Sequence, residues 1–201
     1  MRPARLPQAP LAALLLLAAC PLPQSVPSVP AGSVTPPRIL EDDSRTPPGS
    51  IGAGSTGLIR FDPTCPTAQS FQVTAWVADE NFSEAVEYRW FVDYDPALQP
   101  RYTPLAQDSL DPPAAEPFTL RPVPEFLVLP GQFGNATHVL DLVVSNGFDQ
   151  RPDPEQILLP LPYRTPLSDA QNRYEVQSHK WVFVPAPGCA TAPPPTCAPC
   201  P

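Results

Sequence analysis

The chain has 201 residues, 34 of them proline, and a formal net charge of −8 at pH 7. Its 12 basic residues form no cluster, which argues against nucleic acid as a partner, because such binding depends on neutralising phosphates with Lys and Arg. The composition also supplies no polybasic patch for anionic lipids. The length allows one ordinary domain with tails.

Residues 1–19 have the pattern of a signal peptide. Arg2 and Arg5 form a positive n-region, and an apolar run follows at residues 11–19. This run is much shorter than the ~20 residues that a membrane-spanning helix needs, and prolines on both sides of it oppose a buried helix. We therefore expect the leader to direct export.

The end of the leader, Leu17-Ala18-Ala19-Cys20, resembles the bacterial lipobox, in which a small residue precedes a cysteine. The resemblance implies that the Cys20 thiol receives diacylglycerol, that cleavage follows Ala19, and that the new amine is acylated, with palmitate-type chains. Each buried CH₂ contributes ~0.8 kcal/mol, so several chains give stable anchoring. We expect a lipid-anchored protein of the bacterial cell envelope; the alternative is simple secretion with Cys20 unmodified.

Composition divides the remaining chain into three parts. Residues 20–56 are rich in Pro, Ser and Gly and are predicted to form a tether, semi-rigid at first and then flexible. Residues 57–184 hold all three Trp and most of the Val, Phe and Tyr, so they are predicted to fold around a core. Residues 185–201 form a Pro- and Cys-rich tail, predicted to be disordered like the tether.

Between residues 57 and 184, short β-branched and aromatic runs alternate with turn residues, which is typical of antiparallel sheets. The clearest strands are predicted at Ser70–Asp79, Val86–Tyr94, Thr137–Asn146 and Tyr174–Val184. Weaker ones are predicted at Gly57–Phe61, Pro117–Leu120 and Phe126–Leu129. The predicted fold class is all-β, a single antiparallel β-sandwich.

The alternation also predicts the positions of the three tryptophans. Trp90 lies mid-strand on an apolar face and is expected to fill the space between the sheets. Trp76 and Trp181 lie on the faces opposite the clearest apolar rows, which for Trp181 is the row of Val182 and Val184. There they would cover a sheet edge or form an exposed binding platform.

A strand that follows Cys65-Pro66, the Trp90 strand and the later run VLDLVVSNGFD resemble immunoglobulin (Ig)-like domains. The resemblance is nearest to the PKD and cadherin-like modules of bacterial envelope proteins, with residues 143–147 in place of the strand end that precedes the final strand. The WFVDYDP run at residues 90–96 is also similar to one in uncharacterised myxobacterial-type lipoproteins. The resemblance implies an Ig-like sandwich and no particular activity.

The five cysteines fit an oxidising compartment. If Cys20 is lipidated, Cys65, Cys189, Cys197 and Cys200 can pair in three ways. A Cys65–Cys189 bridge would fasten the end of the domain and contribute ~2–5 kcal/mol, and Cys197 and Cys200 would then bond locally or stay reduced. A redox or zinc role is disfavoured, because a Pro-rich tail offers the CxxC no helix and no second ligand pair is present.

Acidic and histidine residues give no catalytic pattern. Asp93 and Asp95 fall at a strand end, where calcium-binding domains gather carboxylates, but no EF-hand or cadherin motif is present. His138 and His179 have no metal-ligand spacing, and no hydrolase or nucleotide-binding motif occurs. We therefore expect no enzyme activity, no metal and no cofactor.

The sequence thus predicts a non-catalytic, lipid-anchored envelope protein that presents an Ig-like domain for a structural or interaction role. Its expected partners are the membrane and an envelope protein or glycan. The alternative is a carbohydrate- or calcium-binding module that uses Trp76 or Trp181 and the loop of Asp93 and Asp95. Exposed aromatic rings would favour that alternative, and buried rings would argue against it.

Overall fold

A computed structural model of the chain describes residues 35–55, 57–81, 83–98, 103–112, 120–149, 164–167, 174–191 and 197–201. The predicted signal peptide, Cys20 and residues 20–34 of the predicted tether lie outside these residues. So do residues 117–119 of one weak predicted strand, and Leu120, which follows them, is not part of a strand.

The described residues form eight strands in two sheets. The strands are β1 Arg38–Ile39, β2 Leu58–Phe61, β3 Phe71–Ala78, β4 Val86–Val92, β5 Ala106–Leu110, β6 Arg121–Val128, β7 His138–Ser145 and β8 Val176–Pro185. One sheet has the order β1-β3-β6 and the other β2-β8-β7-β4-β5. Within the described ranges the helices are short 3₁₀ turns at Asp43–Arg45 and Pro130–Gln132, and no helix has the length and apolarity to cross a bilayer.

The predicted all-β sandwich is confirmed. The pairing of β3 with β6, and of β8, β7, β4 and β5 in turn, is the B–E and G–F–C–C′ order of Ig-like domains. The sheets are not purely antiparallel, however, because β2 runs parallel to β8, with Leu58 opposite Val182. β1 and β2 belong to different sheets but run in the same direction, because β1 is antiparallel to β3 and β2 is parallel to β8. The chain therefore crosses from one sheet to the other between β1 and β2 without changing direction.

The core lies between the two sheets, and the predicted position of Trp90 is confirmed. Its side chain is 1% exposed. The indole stacks on Phe126 at 5.1 Å between ring centroids and meets Trp181 at 5.6 Å. Alternate residues of β3, β4 and β7 complete the apolar filling, as the period of two requires.

The prediction that the row of Val182 and Val184 is the core-facing side of β8 is wrong. Trp181 and Phe183 point into the core and are 2% and 1% exposed, whereas Val182 and Val184 lie half-buried on the outer face. Both faces of β8 are apolar at its carboxyl end, so alternation alone did not decide which face is inner. The core takes the larger rings because they bury more apolar area.

The predicted tether does not extend to residue 56, because residues 35–55 pack on the sandwich. Ile39 of β1 is buried, as is Ala53, and the carbonyl of Gly52 accepts a hydrogen bond from Trp181 Nε1 at 2.9 Å. The carboxylate of Asp43 fastens this segment by accepting from Gly54 N at 2.9 Å. A Cβ at Gly52 would lie 2.0 Å from Asp43 Oδ1, so a larger residue there would displace the carboxylate of Asp43.

The four candidate cysteines form two disulfides, but neither the Cys65–Cys189 bridge nor the local Cys197–Cys200 bond considered from the sequence is present. The structure pairs Cys65 with Cys200 and Cys189 with Cys197. The two bridges hold residues 197–201 against the loop between β2 and β3, where Gln69 Nε2 also donates to the carbonyl of Ala198. The described part of the tail is therefore fastened to the domain by the disulfides, with Cys189 buried and Ala198, Pro199 and Pro201 exposed.

Candidate functional site

The two tryptophans that were candidates for ligand contact do not form a platform. Trp181 is enclosed in the core, where Phe183 and Trp90 also lie. Trp76 belongs to the other sheet and is half-buried, with the guanidinium of Arg45 5.8 Å above its ring. An aromatic platform built from these two side chains is excluded.

Asp93, the next candidate, is a structural clamp at the end of β4. It has a left-handed backbone with φ 49°, the one positive φ at a non-glycine residue of the described segments. Its Oδ1 accepts from Val139 N at 2.8 Å, and its Oδ2 lies 2.7 Å from His138 Nδ1. Asp93 therefore fixes the start of β7 beside the loop that precedes β5.

His138 completes this clamp. Its ring is 4% exposed, and its second nitrogen, Nε2, lies 3.1 Å from the carbonyl oxygen of Gly134. The ring also contacts Phe61 and Phe133, with centroids 6.4 Å and 5.8 Å away. Both ring nitrogens are thus engaged, and His138 ties the loop between β6 and β7 to Asp93.

A second charged group lies next to this clamp, on the outer face of the five-stranded sheet. Asp141 of β7 is 2% exposed, with Arg164 Nη2 2.7 Å and Lys180 Nζ 3.8 Å from its Oδ2. Burial raises the pKa of Asp141, and the two cations oppose that rise. The guanidinium of Arg164 lies over the Tyr94 ring at 4.6 Å.

Arg164 reaches Asp141 from the connection between β7 and β8. A short antiparallel ladder holds this connection in place, with Asp149 N donating to Thr165 O and Leu167 N donating to Gly147 O, each at 2.9 Å. Phe148 of the same ladder is buried against Phe91 and Val143. Residues 164–167 therefore lie against the outer face and present Arg164 there.

These groups line one groove with a volume of about 720 Å³, which we call the distal groove. Its residues include Asp93, Tyr94, Asp95, Phe133, His138, Asp141, Arg164 and Lys180. Asp95 also lines the groove, and its Oδ1 accepts from Ala97 N at 2.9 Å. Each carboxylate of the distal groove thus has at least one oxygen engaged by an N–H donor or a cation, while Asp141 Oδ1 is buried without a hydrogen-bond partner. Among the described residues of the groove, no three carboxylate or imidazole groups converge within 4.8 Å, which leaves a poor oxygen cage for calcium.

The opposite end of the sandwich has its own buried charges. Arg121 Nη2 lies 3.8 Å from Asp79 Oδ2, and Arg121 Nη1 donates to the carbonyl of Glu84 at 2.8 Å. Burial lowers the pKa of Arg121 and raises that of Glu84. Asn81 Nδ2 donates to Thr35 O at 3.2 Å, so this cluster holds the point where the chain enters the domain.

Asp62, near the two disulfides, is also structural. One of its oxygens lies within 4.8 Å of the sulfurs of Cys65 and Cys200, but those sulfurs are bonded to each other. The carboxylate accepts from Thr64 Oγ1 at 2.6 Å and Ala190 N at 3.2 Å. The hydrogen bond from the Thr64 side chain is the main cause that lowers the pKa of Asp62 to about 2.

Sequence reasoning placed Asp93 and Asp95 in a loop but missed the rest of the distal groove. One signal was available: Asp141 interrupts an apolar strand, and a carboxylate buried in a sheet requires a cationic or hydrogen-bonding partner. Arg164 could not be named as that partner, because it lies 23 positions away along the chain and outside any predicted strand. No protein family, curated protein or solved structure matches the chain.

Proposed function

We propose that the protein is a non-catalytic, lipid-anchored component of the bacterial cell envelope that presents an Ig-like sandwich for an interaction or structural role. The leader that ends in Leu17-Ala18-Ala19-Cys20 supports export and lipid anchoring at the membrane. The two disulfides of the sandwich suit an oxidising compartment outside the cytoplasm.

The observation that carries the proposal is the placement of the distal groove relative to the chain entry. Thr35 is held at the end of the sandwich where β3 finishes and β4 starts. The clamp of Asp93 and His138 lies where β4 finishes and β7 starts. A strand of eight residues is roughly 26 Å long, so the distal groove lies at the end of the sandwich opposite to Thr35, where the described chain enters the domain.

The lining of the distal groove supports a binding role rather than catalysis. Its histidine has both ring nitrogens engaged, and its buried carboxylate is paired with Arg164. A general base must be able to accept a proton from substrate, and a nucleophile needs a free base beside it. The glycan alternative keeps support from this groove, whereas the calcium alternative and the tryptophan platform do not.

The anchor is tested in a bacterial host that processes lipoproteins. We expect membrane fractions to hold a chain that starts at an acylated Cys20, as read by intact mass. Cys20→Ala should leave the membrane fraction, while the control Ser25→Ala, a change of similar size just beyond the processing site, should stay. An unmodified soluble wild-type chain, or membrane retention of Cys20→Ala after a high-salt wash, would overturn the proposal.

A further inference from the structure

The distal groove has the size of a ligand site. Its volume of about 720 Å³ falls within the ~300–1,000 Å³ typical of small-molecule sites. Three separate connections build it: the loop after β4, the loop before β7, and the connection that carries Arg164. Each is fastened to the sheet by a charged or hydrogen-bonded contact.

The charges of the distal groove point to a neutral ligand. Asp93 and Asp141 are each paired within the groove, with His138 and Arg164 respectively. A divalent cation would have to displace these partners, and an anion would meet the carboxylates of Asp93 and Asp95. Neither sign of charge is in clear excess, so hydrogen bonding rather than net attraction must supply recognition.

The hydrogen-bonding groups that remain are mixed and fixed in place. Each oxygen of Asp93 accepts one contact and keeps a further lone pair, since a carboxylate has about four acceptor sites. Arg164 has five N–H donors, of which Nη2 faces Asp141. The ammonium of Lys180 belongs to a side chain that is 58% exposed. Adjacent hydroxyl groups on a ligand, which both donate and accept hydrogen bonds, would be complementary to these donors and acceptors.

An exposed ring flanks these polar groups. Phe133 is 41% exposed although it is a large aromatic residue, and its ring lies 5.8 Å from that of His138. A ring beside fixed donors and acceptors can pack against an apolar C–H face while the hydroxyl edge is hydrogen-bonded. Pyranose sugars present these two surfaces on one molecule.

We propose that the distal groove binds a neutral saccharide, with Phe133 against the sugar face and with Asp93, Arg164 and Lys180 hydrogen-bonding its hydroxyls. This proposal goes beyond the anchored presentation of the domain and does not depend on the anchor. A secreted, unlipidated chain would carry the same groove, so the two proposals can fail separately.

The test titrates the processed full chain, purified in detergent, against a fixed panel. The panel holds neutral oligosaccharides of glucose, N-acetylglucosamine, mannose, galactose and xylose, together with oligouronates, trialanine, calcium chloride and inorganic phosphate. We expect at least one neutral saccharide to bind with a Kd below about 1 mM. No such binding, or binding of only the charged or peptide probes, would overturn the proposal.

Variants locate the bound sugar. Phe133→Ala should weaken binding about tenfold, through loss of the ring contact. Leu127→Ala is the matched control, since Leu127 is 55% exposed on β6 in the other sheet, and it should change the Kd by less than about twofold. Lys180→Gln is the second variant if Phe133→Ala is unfolded by circular dichroism, and it should weaken binding severalfold. Equal effects of the groove and control variants would overturn the proposal.

Discussion

Replacing Trp181 with phenylalanine tests whether residues 35–55 are part of the folded domain. Trp181 is 2% exposed, and its Nε1 donates to the carbonyl of Gly52 at 2.9 Å. Phenylalanine keeps most of the ring contact with Trp90 but has no donor. Trp181→Phe therefore removes the one indole hydrogen bond that joins β8 to the segment predicted as tether.

The expected loss of stability has two parts. The buried carbonyl of Gly52 loses the Trp181 donor and keeps only the longer bond from Ser55 N at 3.3 Å, which costs about 1–3 kcal/mol. The smaller ring leaves a void, which adds about 1 kcal/mol. The free energy of unfolding should therefore fall by about 2–4 kcal/mol, a large share of the 5–15 kcal/mol typical of a domain.

Trp76→Phe is the matched control. Trp76 is half-buried, and its Nε1 is buried with no hydrogen-bond partner. Removing an unpaired donor offsets the lost ring volume, so this substitution should cost about 0–1 kcal/mol. Urea unfolding followed by far-UV circular dichroism, with disulfides intact, should show a midpoint lower by roughly 1–2 M for Trp181→Phe. Equal losses in the two variants, or no loss in Trp181→Phe, would refute the packing of residues 35–55.

Two further predictions concern the end of the domain that carries the disulfides. Removing the Cys65–Cys200 bridge, whose sequence separation is 135, should lower the free energy of unfolding by about 5 kcal/mol. Removing Cys189–Cys197, with a separation of 8, should lower it by about 2.5 kcal/mol. Thermal unfolding of the two double-serine variants measures which loss is larger, and a larger loss for Cys189–Cys197 would contradict the prediction. Because the folded pKa of Asp62 is lowered to about 2 from 3.8, its stabilisation is present above the unfolded value and is lost as pH falls towards 2. Asp62→Asn should therefore lower the Tm at about pH 5–7 and converge with wild type near pH 2; a pH-independent difference would argue against this.

The sequence predicted the elements whose residues alternate clearly. The main strands of the core, β3, β4 and β7, lie within one or two residues of their predicted bounds. The alternation worked there because one face of each strand is buried and a slip by one residue would expose its apolar row. The same logic placed Trp90 correctly.

Edge elements were harder to predict because their residues satisfy weaker constraints. β1 has two residues, and β5 consists of Ala106–Leu110, with only its last residue buried. β6 contains Pro122 and Pro124, which read as breaks but are tolerated at a sheet edge. A strand that is short or mostly exposed shows no alternation of apolar and polar residues. For this reason β1 and β5 were not predicted, and only the end of β6 was.

The cysteine pairing and the distal groove could not be derived because both depend on where the loops pack. Gln69, in the loop after β2, donates to the carbonyl of Ala198, so this loop holds the chain next to Cys200, which is bonded to Cys65. Phe61, the neighbour of Asp62, is 1% exposed and contacts the ring of His138. The disulfides and the distal groove therefore share one end of the sandwich through Phe61. Phe61 precedes the loop that carries Cys65, so the loop joined to the tail by the Cys65–Cys200 bridge continues directly from the residue whose ring lies beside that of His138.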